Sequence, residues 1–244
     1  MAATRPSRAA QPFKLSAPTN NDLNAAEAAW RDGRIAHRLP AYSTFYRVVR
    51  AVAAHPLEYA RTFYPSDLNN RFTPIRSHGK IIPSAYAGAT RELALWETVL
   101  RNIRHQGIKR VPRHETSHRY LAEIRTTHSL KLLDIRRPRD ANLVAGRKRP
   151  PKLTAAPMSA YNITRAWAQQ LYTRIPEMDG LIYESHQLPG DCIVLFQPAD
   201  PEVLTAVGEA VRVSDEPIRS LLRAEAKKAG AVVDFGHLPD PPGT

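Results

Sequence analysis

The chain has 244 residues, 43% of them apolar, and a formal charge of +12. That is the length of one ordinary-to-large domain or two small ones, with enough apolar material for a core. No run of about 18 apolar residues is present to span a membrane, and Met1 to Arg8 is basic but leads into no apolar stretch, which argues against a secretory signal peptide.

In chain order, residues 1 to about 20 read as a mobile tail. Asn20 to Trp30 is alanine-rich and reads as a short helix stopped at Asp32-Gly33. Tyr42 to Val52, β-branched and aromatic, reads as a strand, and Pro65 to Pro74 as irregular chain punctuated by Pro and Asn. Ile81 to Ala89 is a second strand. Thr90 then caps a helix to about Arg104, with Glu92 in the first turn, where a carboxylate suits the dipole. Tyr120 to Thr127 and Ser129 to Ile135 read as strands. Arg136 to Pro157 is rich in Pro, Arg and Lys with no usable period, hence a basic loop or insertion. Ser159 to Tyr172 is a helix carrying Trp167, and Gly180 to Glu184 and Cys192 to Gln197 are strands around a Pro189-Gly190-Asp191 turn. Asp200-Pro201 opens a helix with Pro at its first position, and a further helix runs from Ser214 to Lys228 and stops at Gly230. Val232 to Phe235 is a last strand, and Pro239 to Thr244 a loose tail. This mixed order predicts an α+β or mixed α/β fold in one domain over 21–238.

Cys192 is the single cysteine, so no intrachain disulfide forms, and the nine histidines show none of the short spacings that put two on one helix face. Both observations suit a metal-free protein of the reducing cytoplasm. The positive charge concentrates in two stretches, Arg101 to Arg119 and Arg136 to Lys152. Such a surplus attracts phosphates or an acidic protein, and a plain solvated surface fits it as well. No aromatics interleave with the basic runs, and no helix-turn-helix or finger pattern is present, so charge alone does not make this a nucleic-acid-binding protein.

Three polar residues stand where packing alone would not put them. Strand alternation places Phe45, Arg47 and Val49 on one face. If that face is core, a guanidinium projects from an apolar wall and needs an anionic partner; on an edge strand it faces water. Leu93, Trp96, Leu100 and Ile103 form a helical apolar stripe, and Glu97 lies within it. A carboxylate there lines a cleft or is paired, Arg101 being its i+4 neighbour. Ser185 closes the apolar strand Leu181 to Glu184 just before a turn, a place for a ligand contact or a plain strand end.

Taken in order, these residues resemble the RES domain, a family named for its Arg, Glu and Ser. Phe45-Tyr46-Arg47-Val48 is similar to its first block, and Asn69-Asn70-Arg71-Phe72-Thr73-Pro74 approximates its Gly-Gly-Arg-aromatic-Asn loop. Ala85-Tyr86-Ala87-Gly88 leading to Leu93-Ala94-Leu95-Trp96-Glu97 is similar to its strand-to-helix block. Asp179 to Ser185, followed by Ile193-Val194-Leu195-Phe196, matches its last. The likeness covers about residues 42–236 and departs at Asn69, Asn70 and Thr73.

The resemblance implies an ADP-ribosyltransferase-like β-core with flanking helices that takes NAD⁺ as substrate and cleaves its nicotinamide–ribose bond, without a metal. No Gly-x-Gly-x-x-Gly fingerprint is present, in keeping with NAD⁺ as a substrate and not a hydride carrier. Glu97 and Arg47 are the implied catalytic residues, with Arg71, Tyr86 and Ser185 binding substrate. In that scheme Glu97 meets the ribosyl cation or its hydroxyls, and Arg47 and Arg71 hold phosphate or orient Glu97. Tyr86 stacks on nicotinamide or its ribose, and Ser185 hydrogen-bonds the substrate. Water, phosphate or a protein side chain as acceptor distinguishes a glycohydrolase, a phosphorylase and a protein ADP-ribosyltransferase. A NAD⁺-consuming toxin must be silenced in its own cell, so the implied partner is an Xre-type antitoxin with an acidic face, any nucleic-acid contact being made through it or non-specifically. A nucleic-acid-binding protein and an inactive RES-like binding protein remain as alternatives.

Overall fold

The computed structural model describes residues 15–50, 55–64, 70–101, 103, 109–136, 139–144, 152–196 and 201–236. The chain opens with α1 (Asn20–Arg31), β1 (Ala36–Leu39), β2 (Thr44–Arg50) and α2 (Pro56–Arg61). A two-residue hairpin pair, β3 (Arg76–Ser77) and β4 (Lys80–Ile81), precedes β5 (Ser84–Gly88) and α3 (Arg91–Thr98). There follow β6 (Lys109–Val111), β7 (Arg119–Thr126), β8 (Leu130–Asp134) and α4 (Tyr161–Arg174). The last elements are β9 (Gly180–Glu184), β10 (Asp191–Phe196), β11 (Leu204–Arg212), α5 (Ile218–Lys228) and β12 (Ala231–Val233). The fold is α+β, as the mixed element order predicts.

Eight strands form one sheet in the order β1-β8-β9-β10-β5-β2-β7-β11. Its pairs are antiparallel except β8 with β9. Leu39 and Leu130 from one end share a buried cluster with Ile124 and Leu204 from the other, so the sheet curls around it. On β9 and β10, Leu181, Tyr183, Cys192, Val194 and Phe196 pack in the cluster beneath α1 and α4, while Ile182, Ile193 and Leu195 fill the curled interior. Both faces of these strands are covered, which is why they read as unbroken apolar runs and not as alternation. A third cluster joins α3 to α5 through Leu95, Leu100 and Leu222.

Several expected elements shift, for identifiable reasons. The helix expected at Asp200-Pro201 is a single 3-10 turn, Pro201–Val203, followed by the nine-residue strand β11; Asp200 lies outside the described residues. Pro at a first turn fits either structure, and pairing along β7 decides for the strand. The helix capped by Thr90 ends at Thr98 and not near 104, because the Leu100 N–H bonds back to Leu95 O at 3.0 Å and widens the last turn. The helix expected from Ser214 starts at Ile218, with Pro217 at its N-cap. The expected 20-residue tail is shorter. Ser16 O accepts the Trp167 indole N–H at 2.9 Å, and Thr19 caps α1 in a capping box with Asp22, while residues 1–14 and 237–244 lie outside the described residues. The basic segment 136–157 is more than a surface loop: Leu143, Val144 and Leu153 reach the core beneath α1 and α4, and Arg136 bridges Asp134 and Asp191. Strands β1 and β6 and helix α2 were not anticipated.

Gly180 explains itself by proximity. A Cβ there would lie 2.1 Å from Val194 O on β10, so only glycine lets the two strands approach. Gly180→Ala is expected to lower unfolding free energy by about 2–3 kcal/mol, the cost of overpacking a core strand, read from urea denaturation.

Candidate active site

Strands β2 and β5 meet at a single pair, Tyr46 with Gly88. Beyond it they part, and Ser84 at the far end of β5 bridges to Tyr64 instead. The cleft opens at this split, lined by both strands and by helix α3. Helix α3 roofs it closely: a Cβ at Gly88 would lie 2.8 Å from Leu93 Cβ and 2.9 Å from Ala94 N. Thr90 fixes the start of α3 by accepting the Leu93 N–H at 3.2 Å. On α3, Leu93 and Leu100 are buried as the apolar stripe predicts, and Trp96 donates its indole N–H to Glu225 on α5 at 2.9 Å. Glu97, on the same helix, lines the cleft.

Ser185 holds Glu97. Its hydroxyl donates to Glu97 Oε1 at 2.6 Å, and its oxygen accepts the N–H groups of Gln187 (3.0 Å) and Leu188 (3.3 Å). Expected to meet the substrate, Ser185 lies behind the carboxylate and not on the cleft wall. One carboxylate oxygen of Glu97 is thereby held, and the other has no hydrogen-bond partner among the described residues.

Arg47 shares a buried face with Phe45 and Val49, as alternation predicts, and is 7% exposed. No carboxylate neutralises it among the described residues. Its Nη1 donates instead to Ala60 O and Thr62 O, both at 2.8 Å, and burial lowers its pKa to about 10. Arg71 is likewise held by carbonyls, those of Leu153 (3.4 Å), Thr154 and Ala156 (3.4 Å), and lies 5.2 Å over the Tyr161 ring. Neither arginine touches Glu97. The loop around Arg71 is clamped in turn: Thr164 donates to Arg71 O, and the Tyr86 hydroxyl accepts the Phe72 N–H at 3.2 Å. Burial pushes the Tyr86 pKa up to about 12, so the phenol stays protonated at neutral pH.

Arg47, Arg71, Tyr86 and Glu97 therefore line one cleft, and Ser185 stands one bond away. Sequence reasoning missed three further residues. Arg101 entered only as a surface partner for Glu97, yet its Nη1 reaches Asn70 Oδ1 at 3.4 Å and its guanidinium lies 5.4 Å over Tyr161. Tyr161 is thus the aromatic contact of both Arg71 and Arg101. Tyr183 forms part of the back wall, its pKa raised first by burial and then by the charge of Glu97. Its position in an apolar strand two residues before Ser185 was the available signal.

The cleft combines one held carboxylate, three guanidiniums and three tyrosines, Tyr46, Tyr86 and Tyr183. That arrangement suits a ligand with phosphates and a centre that becomes cationic. Among the described residues no cluster of His, Cys, Asp or Glu suits a metal ion, and no helix is long and apolar enough to cross a membrane. Ser185→Ala removes the Glu97 contact and strands two N–H groups, so it is expected to cost about 1–3 kcal/mol of stability, measured by chemical denaturation.

Comparison with known proteins gives three results. No curated protein sequence matches the chain. A chain from the crystal structure of the M. tuberculosis MbcT–MbcA toxin–antitoxin complex superposes with a TM-score of 0.51 at 15% identity, covering 84% of this chain and 98% of that one; the two share a fold. The sequence model of the RES domain matches residues 44–219, a span that contains all five of the residues first singled out. The chain belongs to the RES domain family.

Proposed function

We propose that this protein binds NAD⁺ in the cleft at Glu97 and breaks its nicotinamide–ribose bond. The observation that carries the reading is the placement of one carboxylate, held by Ser185, in a cleft with three arginines that form no ion pair with a carboxylate among the described residues. In the reaction the C1′–N bond breaks, nicotinamide leaves as a neutral base with the bonding electron pair, and the ribose becomes an oxocarbenium-like cation. Glu97 stabilises that cation through the oxygen that Ser185 leaves open. Arg47 and Arg71 carry N–H groups toward the pyrophosphate, and Tyr86 lies beside the nicotinamide riboside. Ser185 acts as a positioning residue for Glu97. Water as acceptor yields ADP-ribose and a proton; phosphate yields the 1″-phosphorylated ribose.

A NAD⁺-degrading enzyme must be restrained in its own cell. The shared fold with a chain of a toxin–antitoxin complex supports a toxin role with a protein antitoxin, and the RES family resemblance makes an Xre-type protein the proposed antitoxin. The charge of +12 favours an acidic face on that partner. A cytoplasmic location follows from the same reading, since NAD⁺ is there to be consumed.

The test is NAD⁺ consumption by the purified chain, with and without phosphate, beside Glu97→Gln. That variant keeps the size of the side chain and removes its charge. A fall in kcat of about 10²–10³-fold is expected, the usual cost of losing one electrostatic stabiliser of a transition state, and product mass identifies the acceptor. NAD⁺ left intact by the folded wild type in every buffer would sink the proposal.

A further inference from the structure

The cleft at Glu97 continues into a second chamber along the same split. Where β2 and β5 part, a second space opens, walled by Arg50, Tyr59, Tyr64 and Ser84. The two chambers share Arg47, Asn70 and Tyr86, so they form one bipartite site with a guanidinium at the junction.

Four features say what the second chamber takes. Tyr59 and Tyr64 stack with centroids 5.8 Å apart at 19°, presenting half-buried aromatic surface. Ser84 is 6% exposed, and among the described residues its hydroxyl has no hydrogen-bond partner. Asn70 gives its Oδ1 to Arg101 and leaves its amide N–H groups without a partner among the described residues. Arg47, pinned through Nη1, has its other nitrogens similarly unused. A flat base with a hydrogen-bonding edge, joined through ribose to phosphate at the junction, answers all four. An aliphatic ligand would leave Ser84 and Asn70 unsatisfied at a buried wall.

We propose that this second chamber is the adenosine subsite of the cleft, with the pyrophosphate crossing between the chambers at Arg47; the inference rests on the NAD⁺ reading above. The nicotinamide riboside lies with Glu97, and the adenine stacks against the Tyr59–Tyr64 pair with its edge toward Ser84 and Asn70. The chamber then sets the preference for a dinucleotide over a mononucleotide.

Two measurements on the full chain test it. AMP binding, followed by calorimetry, involves no chemistry. It is expected in the wild type and is weaker by about tenfold or more in Tyr59→Ala and in Tyr64→Ala, the loss of one stacking surface. The second is the ratio of kcat/KM for NAD⁺ to that for nicotinamide mononucleotide, which falls by about the same factor in these variants through KM. Ser84→Ala leaves the backbone pairing of β5 intact, serves if a tyrosine truncation unfolds the protein, and is expected to weaken AMP about threefold, a lost hydrogen bond. AMP that fails to bind the wild type, or binds every variant equally, overturns the subsite, and so does a wild-type ratio near one. AMP binding that depends on Tyr64 in a protein inert toward NAD⁺ keeps the subsite and removes the cleavage chemistry.

Discussion

Two strands that should pair and do not are the condition on which the rest of this structure stands. β2 is fully paired with β7, and β5 with β10, yet β2 and β5 share only Tyr46–Gly88. A split of this kind leaves backbone polar groups to be satisfied elsewhere. The Tyr64–Ser84 bridge meets part of that need on β5, while Arg47 reaches out from β2 to the carbonyls of Ala60 and Thr62. The curled sheet, the covering helix α3 and the loop around Arg71 then set the walls of a cavity that an unbroken sheet would lack.

The electrostatics follow from how the arginines are held. Carbonyl oxygens orient a guanidinium without cancelling its charge, so Arg47 and Arg71 are fixed in direction and still positive. Elsewhere the chain uses carboxylates for the same task, as where Arg136 clamps Asp134 and Asp191 across β9. The contrast separates an arginine whose charge is spent inside the fold from those whose charge is left for a ligand. Burial disfavours the charge on Arg47, and in the proposed reaction the pyrophosphate of NAD⁺ is what would compensate it.

Much of this was legible in the sequence because the periods are local. Alternation placed Arg47 on one face with Phe45 and Val49, a face the structure buries, and the helical stripe set Glu97 among Leu93 and Leu100. The Asp179-Gly180 pair has a physical cause as well: Asp179 accepts the Lys131 N–H at 2.7 Å, and Gly180 admits β10. What escaped depends on contacts between distant segments. Nothing local to Leu204–Arg212 announces that it will complete the sheet beside β7, and a proline at its start argued for a helix. Arg101 looked like a surface neighbour of Glu97 because Asn70 and Tyr161, which draw it away, are 31 and 60 positions distant. The contacts of Ser185 to Glu97 and to the turn at Gln187 and Leu188 become visible only in three dimensions.

The carbonyls that grip Arg71 belong to residues 153–156, at the end of a basic segment whose composition suggested only a surface. They act through the main chain, so the side chain of Thr154 is nearly immaterial to the grip, whereas the spacing and curvature of residues 153–156 are not. Two pressures can thus act on one stretch of chain without conflict. Point changes in its side chains retune what the exterior attracts, while insertions or deletions reset the angle of a guanidinium in the interior. Among homologues, the solvent-facing positions of such a segment are expected to drift, while its buried positions, such as Leu153 and Ala156, and the spacing between them hold.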